Sequence, residues 1–390
     1  MVINMIFLKK YIKKILFTLD KNIYKYGDAE LELSILQNRH LSSSINRIEI
    51  NGLLNGHYKV GIYADIEIIS SWMRGLLKIF SNSEVTTNVF EDHNIDFFVV
   101  WGMSTYQKRE YFRYLINFNK KVIFMEDGFI RSIYPYSKKN NSLLSISCAY
   151  VMDTKTLYYD ATKESDLENL INSDFKLSED MYSRASSCIQ KIINNNISKY
   201  NHQQIIDLNF AKDKKKVLVV GQSQGDMSLK YGLCVDNSFN DMLLSAINEN
   251  ENSEIIIKIH PDELIKNKNS SYIKNLKKKQ NVKIIDYEIN PIYLIKQVDI
   301  VYVLTSQLGF EALMCGKKVV CFGASFYSNW GLTDDRIIVR RRHKKRSIEE
   351  IFYMTYIIYS KYYNPQTNEK ETLEGILDFI INQRVNFLGY

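Results

Sequence analysis

Proline and glycine are scarce in this chain, whose 390 residues include only 4 Pro and 16 Gly. Flexible linkers and low-complexity segments are usually rich in these residues, so neither is expected over a long stretch. No self-similarity at a fixed period is present, which excludes a repeat architecture. The apolar fraction of 45% is ordinary for a soluble globular protein, and the length allows one to three domains.

Cysteines and metal-binding motifs are also sparse. The five cysteines are scattered, odd in number and without zinc-site spacing. We therefore expect reduced thiols that pack in the core. HExxH and Asp-x-Asp motifs are absent, which disfavours a metal-dependent transferase of the Asp-x-Asp design and predicts no metal site.

The N-terminus lacks the features of a signal peptide or a membrane span. Its stretch MVINMIFLKKYIKKILFTL has no long uninterrupted apolar run and no small-residue cleavage site after it. On a helix, Lys9, Lys10, Lys13 and Lys14 would share one sector, with apolar residues on another. This pattern suits a helix lying on an anionic membrane surface, and equally a helix packed on its own domain.

The net charge of +7 is concentrated in those lysines and in residues 340–346, RRRHKKR. Such clusters suit the phosphates of nucleotides, anionic lipids or nucleic acid. The alternative interpretation is a solvated charged face.

Apolar strands alternate with helices along most of the chain, which predicts parallel sheets covered on both faces. Strands are predicted at 59–65, 96–102, 121–127, 148–153, 216–222, 254–261, 282–286, 298–304 and 318–323. Helices are predicted near 70–81, 106–117, 239–248, 272–279, 291–297 and 307–315. The predicted organisation is a basic helical segment (1–55), two Rossmann-like doubly wound domains (56–210 and 211–346) and C-terminal helices (347–390).

Polar motifs follow the predicted strands at their carboxyl ends, where ligands bind in such sheets. The motif EDGFIRS contains Glu126, Asp127, Arg131 and Ser132. Its carboxylates and arginine suit a base and an anion clamp, or an ion-paired turn.

The motif GQSQGD follows the first strand of the second domain. Gly221 and Gly225 would allow a ligand to approach closely, and Gln222 and Asp226 are polar groups at the tip. The motif is neither a dinucleotide fingerprint nor a P-loop. Asp226 is a candidate nucleophile or base, with a turn former as the alternative.

Two further strand ends suggest a phosphate site. In KIHPDE, Lys258 and His260 alternate on one side of a strand that Pro261 ends. Farther along, Thr305, Ser306 and Gln307 lie where a strand ends and a helix begins, so backbone N–H groups and hydroxyls would face a phosphate. Glu311, within that helix, is a weaker candidate for binding a ribose.

The loop FYSNWGLTDDR carries too many aromatic and charged residues for a simple connector. Trp330 and Arg336 within it are candidates for contact with a substrate carboxylate or with an acceptor.

In this order, the motifs EDGFIRS, Gln222-to-Asp226, KIHPD, TSQLGFEALMCGKKV and FYSNWGLTDDR resemble those of capsule polysaccharide biosynthesis proteins of the KpsC type. These are retaining β-Kdo glycosyltransferases of Gram-negative bacteria. The resemblance covers roughly residues 58–367. It implies a GT-B fold with the active site between two Rossmann-like domains. It also implies CMP-β-Kdo as donor, retention of configuration, no metal and no cofactor.

The resemblance assigns roles to the candidate residues. Asp226 would be the nucleophile, His260 and Pro261 would serve the CMP phosphate with Thr305 and Ser306, and Glu311 would bind the ribose. For the Kdo carboxylate, Lys258, Arg131 and Arg336 are candidates, and Glu126 or Asp127 would deprotonate the acceptor hydroxyl. Typical members carry two catalytic modules, and we expect one here.

The expected protein is a cytoplasmic β-Kdo transferase, peripheral to the inner membrane, that acts on a glycan or lipid-linked acceptor in capsule or surface-polysaccharide synthesis. No nucleic-acid partner is expected. Two alternatives are a transferase for another CMP-activated ulosonic acid and a non-catalytic glycan- or lipid-binding subunit of capsule export.

Overall fold

The computed structural model describes most of the chain, in ranges separated by gaps. They are residues 32–35, 37, 54–63, 74–90, 92, 94–103, 109–118, 120–135, 143–210, 213–223, 225–260 and 282–389. The predicted N-terminal helix with Lys9, Lys10, Lys13 and Lys14 lies outside these residues, as do Pro261 and the helix predicted near 272–279.

The described residues form two sheets, as the alternation of strands and helices predicts. Their strands are β1 (Lys59–Ile62), β2 (Glu84–Thr86), β3 (Phe97–Trp101), β4 (Val122–Asp127), β5 (Ala149–Asp153), β6 (Lys216–Val220), β7 (Glu254–Lys258), β8 (Val282–Ile285), β9 (Ile300–Val303), β10 (Lys318–Cys321), β11 (Asp334–Asp335), β12 (Ser360–Asn364) and β13 (Glu369–Glu371).

Helices separate many of these strands. They are α1 (Arg109–Asn117), α2 (Asp166–Asn172), α3 (Glu179–Asn194), α4 (Met227–Tyr231), α5 (Ser238–Asn248), α6 (Pro291–Lys296), α7 (Leu308–Met314), α8 (Ile348–Phe352), which continues into a π-helical stretch (Tyr353–Tyr359), and α9 (Leu373–Leu388). Residues 74–79 are also helical. Within the described part of the chain, no helix combines the length and apolarity needed to cross a membrane.

The first sheet has the order β13-β12-β5-β4-β3-β1-β2. Strands β1 to β4 are parallel, but β5 runs antiparallel to β4, so the prediction of a wholly parallel sheet is wrong here. Parallel neighbours need a crossover connection, usually a helix. The described part of the connection from β4 to β5 contains only a short 3₁₀ turn at Leu143–Ser145.

The C-terminal segment also differs from the prediction. Helices α8 and α9 form there, but β12 and β13 lie between them and extend the first sheet through antiparallel pairing of β12 with β5. Tyr363 of β12 is fully buried in the core of that sheet. This strand has only five residues, so the helical pattern around it dominates the sequence signal.

The second sheet has six parallel strands in the order β11-β10-β9-β6-β7-β8. This is the doubly wound arrangement, in which the strand order reverses between β6 and β9. The carboxyl ends of these two strands carry the Gln222–Asp226 and Thr305–Gln307 motifs. The topology therefore brings both motifs to the position where doubly wound sheets bind ligands.

Aromatic rings join the two halves behind this position. The Phe129 ring, after β4, lies 5.0 Å from the Phe326 ring, which follows β10. Phe129 also stacks on Tyr356 with a centroid distance of 5.0 Å. These rings belong to one buried cluster that includes residues from both sheets.

The basic segment 340–346 fastens the halves together. Arg341 and Arg342 both donate to the buried carboxylate of Glu168 in α2, the latter from Nε at 2.9 Å. Arg346 donates to three backbone carbonyl oxygens at and beyond the end of α2, those of Ile171 and Phe175 at 2.9 and 3.0 Å and that of Ser173. Cations are favourable at a helix C-terminus. Protein groups therefore bind the side chains of these three arginines. In this structure they form neither the phosphate-binding cluster nor the solvated charged face that the sequence suggested.

Candidate active site

A side-chain network closes the gap between β6 and β9. Gln222 Nε2 lies 3.0 Å from Thr305 Oγ1, and the Thr305 N–H donates to Gln222 Oε1 at 3.3 Å. Ser228 Oγ lies 3.0 Å from the same threonine hydroxyl and 2.8 Å from Gln222 Nε2. Sequence motifs that are 83 residues apart thus form one polar cluster at the switch point.

Asp226 is the exposed carboxylate of this cluster and the N-cap of α4. Its Oδ2 accepts from Gln222 Nε2 at 2.9 Å, and its Oδ1 accepts from the Ser228 N–H at 2.9 Å and from the Ser228 hydroxyl at 2.8 Å. All of these donors are neutral, so they orient the carboxylate without cancelling its charge. Gly225 has φ +86°, a conformation that suits glycine, and it turns the chain into this cap.

Two glycines hold Thr305 in place. A Cβ on Gly232 would lie 2.3 Å from Thr305 Cγ2, and one on Gly323 would lie 2.7 Å from the same atom. Gly221 has a similar packing role, since a Cβ there would lie 2.9 Å from the Lys258 carbonyl oxygen. The space that Gly221 leaves is filled by the backbone after β7, not by a ligand as the sequence suggested.

Strand β7 brings Lys258 and His260 to the same edge of the sheet. Both side chains are half-buried. Burial lowers the pKa of Lys258, and the nearby charge of Glu288 only partly opposes this effect. Lys258 is therefore a weaker cation than its sequence position suggests.

Glu126, at the end of β4, is half-buried, and its Oε1 accepts from the Asp127 N–H at 2.9 Å. The charges of Glu126 and Asp226 both raise the pKa of Tyr159, after the larger effect of burial. Both carboxylates act in the same way on the neighbouring Tyr158. The structure thus brings the carboxylates of two sequence motifs near one pair of tyrosines.

Asp127 and Arg131 form a closed pair instead of an open base and anion clamp. Asp127 accepts from Arg131 Nε at 2.7 Å and from the Ser147 hydroxyl at 2.7 Å. Arg131 is 3% exposed and also donates to Ser132 Oγ and to the Ser145 carbonyl oxygen, both at 3.0 Å. The expected contacts of Arg131 and Ser132 with a substrate carboxylate are corrected accordingly, because both side chains are buried and engaged by the protein.

Trp330 and Arg336 are also occupied. Trp330 is 1% exposed, its indole N–H donates to the Phe326 carbonyl oxygen at 2.9 Å, and Arg342 lies over its ring. Arg336 pairs with Glu249 at 2.8 Å and with Asp334 at 3.2 Å. Trp330 is thus buried, whereas Arg336 is exposed and ion-paired at the surface, and the contact of either residue with a substrate stays a prediction.

Glu311 lies under the junction of the halves, not on an open ribose surface. It is 1% exposed and accepts from Ser198 Oγ at 2.7 Å and from Gln307 Nε2 at 3.2 Å. Gln307 also donates to the Phe129 carbonyl oxygen at 2.8 Å, so it fastens the halves instead of facing a phosphate. Burial raises the pKa of Glu311 to about 7, although Ser198 and Gln307 oppose the shift.

Thr305 and Ser306 lie where β9 ends and α7 begins, as predicted, but both hydroxyls already interact with protein groups. Thr305 is 9% exposed, and its hydroxyl is shared within the Gln222 cluster. Ser306 Oγ accepts from the Leu308 N–H at 3.3 Å at the start of α7. Their contact with a phosphate remains a prediction.

Sequence reasoning missed Tyr158, Tyr159, Ser228 and Lys199. Ser228 lies two residues after the N-cap Asp226, at a position whose N–H an N-cap side chain binds, which was a usable signal. Tyr158 and Tyr159 follow β5, and Lys199 follows α3, and no local motif distinguishes these three residues. Among the described residues, no group of three or more His, Cys, Asp or Glu could hold a metal ion.

Two doubly wound halves with a site at their facing strand ends define a GT-B glycosyltransferase architecture. Residues 98–364 match the family of capsule polysaccharide biosynthesis proteins. The chain belongs to this family.

Curated relatives and solved structures agree with this assignment. The chain is 34% identical over 275 residues to the capsule polysaccharide modification protein LipA of Neisseria meningitidis, covering 66% of this chain and 37% of LipA. It is 37% identical over 272 residues to the lipopolysaccharide-processing protein LpsZ of Rhizobium meliloti, covering 68% of this chain and 59% of LpsZ. The chain thus spans less than two thirds of the length of either relative.

Two solved structures of KpsC from Thermosulfurimonas dismutans are similar along nearly their whole length. The β-Kdo 2,4 transferase has a TM-score of 0.74 and 31% identity, covering 83% of this chain and 98% of that chain. The β-Kdo 2,7 transferase has a TM-score of 0.60 and 26% identity, covering 84% of this chain and 99% of that chain.

Proposed function

We propose that this chain is a retaining β-Kdo transferase that uses CMP-β-Kdo and a glycan or lipid-linked acceptor in capsule or surface-polysaccharide synthesis. The observation that carries the proposal is the exposed Asp226 carboxylate at the β6–β9 switch point. Its two oxygens are oriented by Gln222 and Ser228, and among the described residues no cationic side chain pairs with it. Similarity to the two KpsC transferases supports the choice of sugar.

The proposed reaction has two displacements at the anomeric carbon. Asp226 attacks this carbon as the bond to the CMP phosphate oxygen breaks, and its charge stabilises the oxocarbenium-like centre. An acceptor hydroxyl then displaces Asp226, which retains the configuration of the donor. Because Gln222 and Ser228 hold the carboxylate by its oxygens, it is oriented before the substrate arrives.

The departing CMP phosphate requires positive charge or hydrogen-bond donors. His260, at the end of β7, and the N–H groups at the start of α7 are the proposed donors. The acceptor proton goes to Glu126, while Asp127 is committed to Arg131. Metal and cofactor are not required by this scheme, so activity is expected to survive EDTA.

The proposed location is the cytoplasmic face of the inner membrane, with the segment containing Lys9, Lys10, Lys13 and Lys14 on anionic lipid. Each such lysine contributes about 1 kcal/mol near an anionic surface. Liposome sedimentation of the full chain and of a variant with these four lysines changed to Gln measures that contribution.

The experiment that tests the function is incubation of the purified chain with a CMP-Kdo-generating system and a panel of Kdo-bearing synthetic acceptors. The expected product is a β-linked Kdo whose linkage is read by NMR. A parallel reaction with a different CMP-activated ulosonic acid tests donor choice. Transfer of that second sugar but not of Kdo would contradict the proposed donor, and an α-linked product would contradict the mechanism.

A further inference from the structure

A pocket lies on the surface of the first half, between the helical residues 74–79 and the β12–β13 hairpin. Its volume is about 470 Å³, within the range of small-ligand sites. One wall comes from the helix and the turn after it, the other from the hairpin, and the lining residues are Arg74, Leu77, Lys78, Ser81, Pro365 and Asn368. None of them belongs to the second half, so this pocket is distinct from the site at the β6–β9 switch point.

The helical wall presents one face to the pocket. Its lining residues have the spacing i, i+3, i+4 and i+7, which places side chains on one side of a helix. The opposite side packs closely on the sheet, since a Cβ on Gly75 would lie 2.3 Å from the Tyr150 hydroxyl oxygen. The buried residues of that side are Leu76, Ile79 and Phe80. This packing fixes the helix that forms the wall.

The turn between β12 and β13 forms the other wall. Asn368 has φ +60°, a left-handed conformation that asparagine tolerates better than most residues. Its Oδ1 accepts from the hydroxyl of the buried Tyr363 at 2.8 Å. Because Tyr363 holds this oxygen, the amide Nδ2 group remains as a donor, and no described residue accepts from it. Lys78 joins the two walls through an ion pair with Glu369 at 2.9 Å.

The charge of the pocket is not balanced by its own lining. Arg74 is exposed, and within the described part of the chain it has no ion pair or hydrogen bond. Glu369 balances Lys78, and none of the lining residues is acidic. Leu77 and Pro365 add apolar surface beside the donors. A ligand with an anionic group and an apolar face fits such a lining.

A second cavity, of about 270 Å³, lies against the same two elements. Ile79 lines it from the helix, and Lys361 and Lys370 line it from β12 and β13. Lys370 is exposed, whereas the carboxylate of Glu371 accepts from the Thr372 N–H at 2.9 Å at the start of α9. We call the two cavities together the hairpin groove. Its excess of positive charge extends over both cavities, which suits a ligand with more than one anionic unit.

We propose that the hairpin groove binds acidic sugar units of the acceptor glycan, with the Arg74 guanidinium on a sugar carboxylate. This inference rests on the proposed function, in which the acceptor bears Kdo. A guanidinium binds a carboxylate through two parallel hydrogen bonds, and the Asn368 amide can donate to a sugar hydroxyl. Leu77 and Pro365 offer apolar surface to the C–H face of a pyranose ring.

The groove is connected to the proposed reaction site through the first sheet. Its helix packs on Tyr150 through Gly75, and Tyr150 is the sheet partner of Asp127, the residue after Glu126. The wall of the groove thus lies against the strand ends where the acceptor hydroxyl is proposed to react. Sugar units farther along the acceptor chain are the ones proposed to lie in the groove.

The test compares Arg74→Met, Arg74→Lys and Asn368→Asp with wild type. Arg340→Met is the matched control, because Arg340 is an exposed arginine of the second half with no partner among the described residues. Two synthetic acceptors are used, one with a single Kdo unit and one with three. Arg74→Met should raise KM for the three-unit acceptor about 10-fold at unchanged kcat, the lower end of the range for loss of a charge-assisted hydrogen bond. Its KM for the single-unit acceptor should stay unchanged.

The other two variants separate charge from geometry. Arg74→Lys should retain part of the affinity, because it keeps the charge but not the paired donors. Asn368→Asp keeps the shape of the turn and should weaken binding at least as much as Arg74→Met, because it adds a negative charge beside the ligand. An Arg74→Met enzyme with wild-type KM for both acceptors would overturn the proposal. So would an equal rise in KM for both acceptors, which would place Arg74 at the reacting sugar.

Binding is also followed without transfer, by hydrogen exchange in the presence of the three-unit Kdo oligosaccharide. Residues 74–81 and 365–371 should gain protection in wild type, and Arg74→Met should lose it. Wild type that transfers no Kdo would contradict the proposed function alone, whereas absence of this protection would contradict the groove. Phosphatidylglycerol vesicles test the other source of anionic groups. If Arg74→Met sediments less with these vesicles but keeps its affinity for the oligosaccharide, the groove binds lipid phosphate and the proposal is wrong.

Discussion

The loops after β4 and β6 both present carboxylates at strand ends, but they differ in what surrounds each charge. Asp127, after β4, is 9% exposed and paired with a buried arginine. Asp226, after β6, is exposed, and the described residues that hold it are all neutral donors. A carboxylate whose charge is balanced by an internal cation stabilises the fold. One that is oriented but not balanced remains available to a positively charged transition state.

The largest expected effect comes from removing the unbalanced charge. Asp226→Asn keeps the shape of the side chain but should lower transfer at least about 10³-fold, because both the nucleophile and its charge are lost. CMP affinity should stay nearly unchanged. With CMP-Kdo and no acceptor, mass spectrometry should find wild type heavier by one Kdo on the peptide that contains Asp226.

Asp241→Asn is the control, since Asp241 is exposed and hydrogen-bonded only locally to Asn237 at 2.7 Å. An adduct on Glu126 or Asp127, or near wild-type turnover of Asp226→Asn, would contradict the assignment of Asp226 as nucleophile. It would make the carboxylates after β4 the nucleophile candidates.

The second prediction concerns Asp127, whose charge is balanced by Arg131. Asp127→Ala leaves Arg131, which is 3% exposed, without its carboxylate, and should cost about 3–5 kcal/mol of unfolding free energy. Asp226→Ala removes only a helix cap and should cost about 1 kcal/mol. Urea unfolding of both variants measures the difference. Equal losses would mean that the two carboxylates have similar structural roles.

The third prediction uses a buried carboxylate with no cation at bonding distance. Burial raises the pKa of Glu311 to about 7, so the folded protein binds its proton more tightly than the unfolded chain does. The stability that this tighter proton binding contributes to the folded state is fully present below the unfolded pKa of about 4.3. It is lost as pH rises through 7. Stability relative to Glu311→Gln should therefore fall by on the order of 3 kcal/mol from pH 4 to pH 9.

Chemical unfolding at several pH values tests this slope, with Glu251→Gln as an exposed control. Parallel pH profiles for wild type and Glu311→Gln would show that Glu311 is ionised in the folded protein.

The smallest expected effect comes from changing His260, the proposed hydrogen-bond donor to the departing CMP phosphate. His260→Ala should lower turnover roughly 10²-fold, the contribution typical of a positioned acid. His57→Ala is the matched control, because His57 is exposed and bonds to the Asn82 carbonyl oxygen at 2.8 Å. Steady-state kinetics with saturating donor would separate a loss of kcat from a loss of binding. Unchanged kinetics would assign His260 a structural role.

The sequence by itself determined the strands of the parallel sheets and the order of the motifs at their ends. Apolar runs such as β3 and β6 are buried along nearly their whole length, and short-range pattern is sufficient to predict them. The sequence predicted a strand at 148–153 but not the antiparallel direction of β5, and it did not predict β12 and β13, because strand direction and pairing depend on partners that are distant in the chain.

Only the tertiary structure decided which charged residues are available. Arg336 is 87 residues from Glu249, and Arg341 is 173 residues from Glu168, so no local pattern reveals that these arginines are paired. Side-chain type is written in the sequence, whereas burial and pairing arise from contacts between distant segments, and these determine whether a charge serves the fold or the chemistry.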